Sequence, residues 1–553
     1  MARTKYSGRY VTIGPPGCGK THWLSRQVQA CLEAGADVLL CSLTRTAAHE
    51  IADRVEREGV KVDRERIGTL HAHAYRSLGR PEIAESCLKE WNEYAPTWRI
   101  GLSGAVDPDD PLAAEPESDD GPGNELMTLY QLERARMTPR ELWPMSVQAF
   151  ASEWEEWKRQ LGRLDFTDLI EKAADEPTPM TPAVILADEA QDLSALEHRL
   201  LSRWSESADA QIVVGDPWQA LYTWRGASPE IFSASDVDHR HLLGKSYRVP
   251  RVIRDVALRW ASQLSDFAEI TYEPRTDEES GEVIEGLAEP IRGSWRSPEM
   301  LVEWIDERSR RGQSVMLAGS CGYHLRPTVA VLKAFGIPFA NPWRRHNRLW
   351  NPLHVGRGTS TTERVGELLK LAGQRRESWL AGSLAKWIPL LQAEGVLKHG
   401  AKAASTKLDA ATEITADELA QWFVGESLAL LRSAMSGAID VGSLVAWLVE
   451  KCLPKFAKQA DYISRIVGRF GVDGVTKAPN VFVGTVHSFK GGEADVVVLY
   501  PDLSNRGLRE WLGEPSARDN VVRTYYVGMT RAREELRICQ PSSAYACSAQ
   551  EYV

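Results

Sequence analysis

No stretch of this 553-residue sequence approaches the ~20 consecutive apolar residues that a membrane-spanning helix needs. The reading is therefore of a chain that makes no use of the bilayer. Cysteine is sparse: eight scattered copies contain no Cys-x-x-Cys pair. That speaks against zinc ribbons, iron–sulfur clusters and disulfide frameworks, and for a reducing cytoplasm, bacterial or phage-infected. Met1-Ala2-Arg3-Thr4-Lys5 runs straight into a strand and a glycine-rich loop, so no signal peptide is expected. No repeat of fixed period is visible. Excess positive charge is also lacking, the formal net charge being −10. It is unevenly spread: seven acidic residues fall in Asp107 to Asp120, whereas Arg308 to Arg311 and Arg344 to Arg348 are basic. A local groove can be positive on an acidic protein, so net charge does not exclude a nucleic-acid partner.

Hydrophobic content of 43% and charged content of 26% are those of an ordinary globular chain, long enough for two to four domains. Tryptophan is frequent, with 19 copies. Most, such as Trp154 and Trp157, sit at helical spacings and are expected in the core. Apolar runs alternate with helical patterns in strand–loop–helix order. Strands are expected at Tyr10 to Ile13, Asp37 to Ser42, Val184 to Ala187 and Ile212 to Val214, and helices at Thr21 to Leu32 and Thr46 to Glu58. Such alternation gives a parallel α/β sheet with ligands at the strand C-termini. A second α/β region is expected from Leu242, with strands at Gln313 to Ala318, Ile337 to Ala340, Val481 to Gly484 and Val496 to Tyr500. Helices are expected at Asp417 to Met435 and Val441 to Pro454, and Gly101 to Gly123 reads as a disordered loop.

Gly14-Pro15-Pro16-Gly17-Cys18-Gly19-Lys20-Thr21 fits the phosphate-loop pattern G-x4-GK[ST] between a strand and a helix. Its backbone N–H groups curl around phosphate oxygens, Lys20 neutralises the β- and γ-phosphates, and Thr21 ligates Mg²⁺. Cys18, at a helix N-terminus, is read as a small filler or as a thiol of lowered pKa. Asp188-Glu189 closes the strand Val184 to Ala187. Asp188 suits a metal's water shell, and Glu189 suits the polarising of an attacking water. Behind a phosphate loop, this pair points to NTP hydrolysis.

The loop spelling also suits AAA+ ATPases or another helicase branch. Gly215-Asp216-Pro217-Trp218-Gln219-Ala220-Leu221-Tyr222-Thr223-Trp224-Arg225-Gly226-Ala227, however, closely resembles motif III of the UvrD/Rep/PcrA helicases, superfamily 1A. The other motifs follow in order. Ser42 to Ile51 looks like motif Ia, Gly68-Thr69-Leu70-His71 like motif Ib, and Leu242 to Arg248 like motif IV. Gly484 to Asp495 is similar to motif V, and Tyr526 to Arg533 to motif VI.

The resemblance implies two RecA-like motor domains, each with a mostly helical insertion. Motor domain 1A would take residues 1–72 and 166–240, with insertion 1B at 73–165. Motor domain 2A would take 241–342 and 477–541, with insertion 2B at 343–476 and a tail at 542–553. ATP and Mg²⁺ are the implied cofactors. The catalytic set would be Lys20, Glu189, Gln219, Arg248 and Arg531. In it Gln219 reports the γ-phosphate to the strand side, while Arg248 and Arg531 reach that phosphate from the second motor domain. Tyr247 would stack on adenine and Glu493 bind the ribose. Tyr222 and Trp224 would stack on bases, with Thr44, Thr69, His71, Arg225 and His487 near the backbone or adjacent bases.

The implied partner is single-stranded or tailed duplex DNA, and the implied activity 3′→5′ translocation with unwinding in replication, repair or recombination. Protein partners from such a complex are also implied. Two alternatives stand beside it: a translocase that displaces proteins without unwinding, and an ATP-gated regulatory subunit.

The sequence departs from the family pattern in places. No glutamine occurs among the 13 residues before Gly14, which puts strict ATP selectivity in question. Leu70 stands for an aromatic, Gly492 and Ala494 for Leu and Trp, and Trp218 for an acidic or polar residue. With 22 residues after Arg531, no strand-separating hairpin can be assigned and no nuclease domain is expected.

Overall fold

The computed structural model describes all residues except 1–5, 44, 102–121, 177–181, 235–236, 269, 346, 354–359 and 374. The acidic run 107–120 and Thr44 thus lie outside the described residues. The fold is α/β, with parallel strands flanked by helices. The chain packs as two units, residues 1–288 with 505–535 and 552, and residues 289–504 with 536–551 and 553.

Six strands build the first sheet: β1 (Gly8–Ile13), β2 (Val38–Cys41), β3 (Ile67–Gly68), β4 (Val184–Ala187), β5 (Ala210–Gly215) and β6 (His239–Leu242). Their order is β3-β2-β4-β5-β1-β6, and the pairs are parallel. Every residue of β2 and β4 is buried, as in a sheet covered on both faces. Leu24, Val28 and Ile51 belong to one of the apolar clusters packed on these strands, and Leu169, Leu200 and Trp204 to another.

The β6 sequence, His-Arg-His-Leu, has no apolar pattern because it is an exposed edge strand. Aromatic contacts support it: Tyr10 stacks on His239 at 4.4 Å and Trp23 on His241 at 5.8 Å. Leu242, near which a second α/β region is expected to begin, is the last residue of this strand.

The helices Leu88–Tyr94, Gly123–Ala135 and Met145–Leu161 share a core of Trp91, Tyr130, Phe150, Trp154 and Trp157. Trp91 meets Trp154 edge-to-face at 4.9 Å. This helical layer is pinned by a buried ion cluster. Arg134 lies 3.1 Å from Asp165, and Lys158 pairs with both Asp165 and Asp168. Asp165 and Asp168 also form the capping box of the helix Phe166–Asp175. Burial alone would raise the Asp165 carboxyl, but Arg134 and Lys158 hold it well below the usual carboxylate range.

A second sheet is built on β7 (Leu287–Ile291) and β8 (Val315–Gly319). A small ribbon, β9 (Ser378–Leu380) with β10 (Glu413–Thr415), follows, and then β11 (Val481–Thr485), β12 (Ala494–Leu499) and β13 (Ala532–Cys539). The sheet order is β11-β8-β12-β13-β7, with β8 parallel to both β11 and β12. Between β8 and β11 the chain is mostly helical, including Thr361–Leu369, Gly425–Met435, Val441–Lys451 and Ala457–Phe470.

Two expected elements are corrected. Ile337 to Ala340 is not a strand: only Ala340 bridges, to Phe482, after the Gly336 turn and the N–H-less Pro338. The expected helix Asp417 to Met435 is broken. A short turn, Glu418–Gln421, ends before Phe423 and Val424, which pair with Leu397 and Val396, and a new helix starts at Gly425 (φ +54°).

Candidate nucleotide and nucleic-acid site

At the C-terminal end of β1 the Gly14 N–H donates to Gly215 O at 2.9 Å, which sets the phosphate loop beside β5. Gly17 and Gly19 hold φ of +73° and +74°, a conformation other residues reach only with strain. The chain then enters the helix Lys20–Glu33, whose first turn carries Lys20 and Thr21. Lys20 Nζ donates to Gly14 O at 2.7 Å. Cys18 is buried, and burial pushes its thiol up to about 12, Lys20 and Arg248 opposing. The lowered thiol pKa considered from the sequence is therefore corrected: desolvation outweighs the helix terminus.

The segment after β6 is laid on this loop. Tyr247 N donates to Gly17 O at 2.8 Å, and Ser246 Oγ donates to Pro16 O at 2.7 Å. A side chain on Gly17 would start 2.5 Å from Arg248 Cβ, so only glycine fits beneath Arg248. Tyr247 is 65% exposed, its ring 3.9 Å from where a Gly19 side chain would begin. Ser246 was not singled out in the sequence; a serine next to Tyr-Arg gives no signal of contact with a loop 230 residues away.

Asp188 and Glu189 follow β4. Asp188 is buried, and its N–H donates to Cys41 O at 2.9 Å. Glu189 has φ +53°, one of three non-glycine residues in the left-handed region among those described. Such backbone costs of order 1–3 kcal/mol and persists where neighbours enforce it. The neighbour here is Gln191, whose Nε2 donates to Glu189 Oε2 at 2.5 Å.

The Gln191 Oε1 in turn accepts from Asp216 N at 3.0 Å. Gln219 Nε2 donates to Asp216 Oδ2 at 2.7 Å, and Arg531 donates to Gln219 Oε1 at 2.8 Å. Burial raises the Asp216 carboxyl, with Lys20 and Gln219 opposing. Lys20, Asp188, Glu189, Gln219, Tyr247, Arg248 and Arg531 thus all belong to the first unit. Gln191 and Asp192 went unassigned in the sequence reading, although they stand in the same Asp-Glu-Ala-Gln-Asp run. Asp192 Oδ1 accepts from Leu221 N at 3.0 Å.

Trp218 is 3% exposed, stacked on Phe267 at 5.0 Å and edge-on to Tyr526 at 5.6 Å. It is a core residue, which accounts for an apolar ring where a polar one is common.

On the strand side, a small cleft is lined by Ser42, Thr69, His71, Asp188, Glu197 and Arg225. Thr69 Oγ1 caps the helix Leu70–Ser77 by accepting from Ala72 N at 3.1 Å. His71 Nδ1 lies 3.6 Å from Glu197. Burial lowers the imidazole pKa and Arg225 adds to this, against the pull of Glu197. Tyr222 is only 4% exposed, whereas Trp224 is half-buried, and their rings meet edge-to-face at 6.3 Å. Trp224 is the ring presented to solvent, and Tyr222 lies behind it. Thr223 Oγ1 donates to Asn520 Oδ1 at 2.7 Å, fixing this turn to the helix Pro515–Met529.

Glu493 and His487 lie in the second unit, both half-buried, around β11 and β12. There Asn341 ties its own loop to β11, donating to Val483 O and Ser488 Oγ, each at 3.1 Å. The loop places the Trp343 indole against Gly492: a side chain there would start 2.7 Å from the ring. The Leu-to-Gly departure is thus matched by an aromatic from a neighbouring loop.

Thr21 and Asp188 could hold a divalent cation. Among the described residues no group of three or more His, Cys, Asp and Glu side chains is arranged for a metal. Two protein oxygens nonetheless suit Mg²⁺, which keeps waters and takes phosphate oxygens. No described helix is long and apolar enough to cross a membrane.

Comparison with known proteins agrees with this geometry. The AAA-domain family matches residues 3–225. The ATP-dependent DNA helicase UvrD2 of Mycobacterium tuberculosis is 28% identical over 259 residues, 40% of this chain and 36% of that protein. In this region the chain is similar to UvrD/Rep-like superfamily 1 helicases. The putative ATP-dependent DNA helicase YjcD of Bacillus subtilis is 22% identical over 253 residues, 41% of this chain and 32% of that protein. The RecBCD subunit RecB of Mycobacterium tuberculosis is 34% identical over 120 residues, 19% of this chain and 11% of its own. The match thus spans about a third of UvrD2 and YjcD, and less of RecB.

Proposed function

We propose that this chain is an ATP-dependent DNA helicase and translocase that moves 3′→5′ on single-stranded DNA. The observation that carries this reading is the hydrogen-bonded pair Asp216–Gln219, which stands on the same short segment as Trp224 and is met by Arg531. Phosphate-facing groups and a half-exposed indole share one stiff piece of backbone, so a shift at one is felt at the other. The names of the relatives, all ATP-dependent DNA helicases or RecBCD subunits among those described, support the same reading.

In this mechanism Lys20 and the loop N–H groups bind the phosphates, and Tyr247 stacks on the base. Mg²⁺, held by Thr21 and Asp188, would supply charge neutralisation on the phosphates. Glu189 accepts the proton of the attacking water. Arg248 and Arg531 stabilise charge on the transferred phosphoryl group, a role worth roughly 10³–10⁵ in turnover for such arginines. Trp224 stacks on a base with Tyr222 as its support, at about 1–3 kcal/mol per base, and tolerates any sequence. By the family resemblance, Thr44, Thr69, His71, Arg225 and His487 would contact the strand and Glu493 the ribose. The motor domains are 1–72 with 166–240, and 241–342 with 477–541; the insertions are 73–165 and 343–476. Translocation requires that ATP and DNA bind open and closed forms with different affinity.

Unwinding of 3′-tailed against 5′-tailed duplexes tests the polarity. Preference for the 3′ tail is expected. DNA-stimulated ATPase with no strand separation on either substrate would replace the helicase by a protein-displacing translocase.

A further inference from the structure

Gln191 is fully buried between two parts of the site, and nothing in the proposed mechanism uses it. Its side-chain amide is fixed in both directions. The NH₂ end donates to Glu189 Oε2 at 2.5 Å and to Asp192 Oδ2 at 3.3 Å, and the carbonyl end accepts from Asp216 N at 3.0 Å. Gly215 leaves just enough room: a side chain there would start 2.3 Å from Gln191 Oε1. The hydrogen-bonded run therefore does not stop at Asp216. It extends Arg531–Gln219–Asp216–Gln191–Glu189, joining the arginine of one helix end to the carboxylate after β4.

We infer that Gln191 is a positioning residue that restrains Glu189 until the segment Gly215–Trp224 moves, and so makes hydrolysis depend on a bound strand. This rests on the ATPase reading above. The Gln191 amide holds one of the two Glu189 carboxylate oxygens. The same contact fixes the direction of the Glu189 side chain, whose backbone holds φ +53°. Because the other end of the amide is bound to the Asp216 N–H, Glu189 turns away only when Gln191 shifts or the amide lets go. Asp192 adds a second tie by accepting from Leu221 N at 3.0 Å, one residue before Tyr222. A strand that stacks on Trp224 pulls on this segment, and Gln191 is where that pull reaches the base. Two states with different contacts are the physical requirement for such coupling.

The test is steady-state ATPase of the full chain with and without a single-stranded oligonucleotide, for wild type, Gln191→Met and Gly215→Ala. Methionine keeps length and burial but removes donor and acceptor. Alanine at 215 displaces the amide from the other side and covers the case in which Gln191→Met fails to fold. In wild type, stimulation by the oligonucleotide is expected; its absence sinks the ATPase-coupling reading itself. In both variants, strand-independent kcat is expected to rise about tenfold, equal to ~1.4 kcal/mol, with the stimulation ratio falling by the same factor. Nucleotide affinity, read by binding of a fluorescent ATP analogue, is expected to be unchanged. A stimulation ratio equal to that of a stimulated wild type, with basal and stimulated rates scaled together, overturns the inference and leaves Gln191 a packing residue.

Discussion

Replacing Trp218 by alanine should destabilise the first unit by several kcal/mol, although the residue sits in a segment otherwise devoted to function. Its ring is 3% exposed and touches two aromatic partners, Phe267 at 14° between planes and Tyr526 at 87°. Truncation of a buried tryptophan to alanine costs about 3–5 kcal/mol. Each aromatic pair in such geometry contributes roughly 0.5–1.5 kcal/mol of that. Phenylalanine at 218 keeps the stack and should lose less than half as much. Native-state hydrogen exchange is the suitable assay, because a chain of two units need not unfold in one step. Amides of Ala210–Gly215 and Pro515–Met529 should exchange roughly 10²–10⁴-fold faster in Trp218→Ala. Less than a tenfold change, or equal effects of alanine and phenylalanine, would refute the packing role.

Leucine at Gly492 restores the family residue yet should destabilise the second unit, since its Cβ would lie 2.7 Å from the Trp343 indole. Gly492→Leu combined with Trp343→Ala should recover stability, as read by thermal unfolding. Maleimide labelling of Cys18 at pH 8 should be far slower than that of a free thiol, because burial holds its pKa at about 12; prompt labelling would contradict this. Acid should release the helical layer around Trp154. The Asp165 carboxyl is depressed in the folded state, so its contribution is complete above the unfolded carboxylate pKa and is lost as pH falls through the lower, folded value. Tryptophan fluorescence during acid titration, compared with Asp165→Asn, would show whether that transition belongs to Asp165. Trp224→Ala should weaken oligonucleotide binding in a fluorescence titration while ATP-analogue binding survives; equal loss of both would indicate a folding defect instead.

Much of the fold was legible because its core strands are short all-apolar runs. Val184 to Ala187 appears with the expected bounds, and β1, β2, β5, β8, β11 and β12 differ from expectation by a few residues at their ends. What escaped had a local reason. β6 is polar because it is an edge strand. Ile337 to Ala340 is apolar but carries Pro338 and the turn at Gly336, and β13 follows directly on a helix without a turn signal. In the site, residues with their own chemistry stood out: Lys20, the Asp188-Glu189 pair, and Trp224 beside Arg225. Ser246, Gln191 and Asp192 act by holding backbone and side-chain groups of distant segments, and a sequence carries no mark of such partners. Trp218 had no local explanation because Phe267 and Tyr526 are far away in the chain.

The central claim is that nucleotide hydrolysis at the phosphate loop is coupled to a strand at Trp224. Its most direct test is ATP turnover with and without single-stranded DNA for wild type, Glu189→Gln and Trp224→Ala. The account expects stimulation in wild type, near-complete loss of turnover in Glu189→Gln, and retained basal turnover with little stimulation in Trp224→Ala. Turnover in Glu189→Gln equal to wild type, or full stimulation in Trp224→Ala, would contradict it.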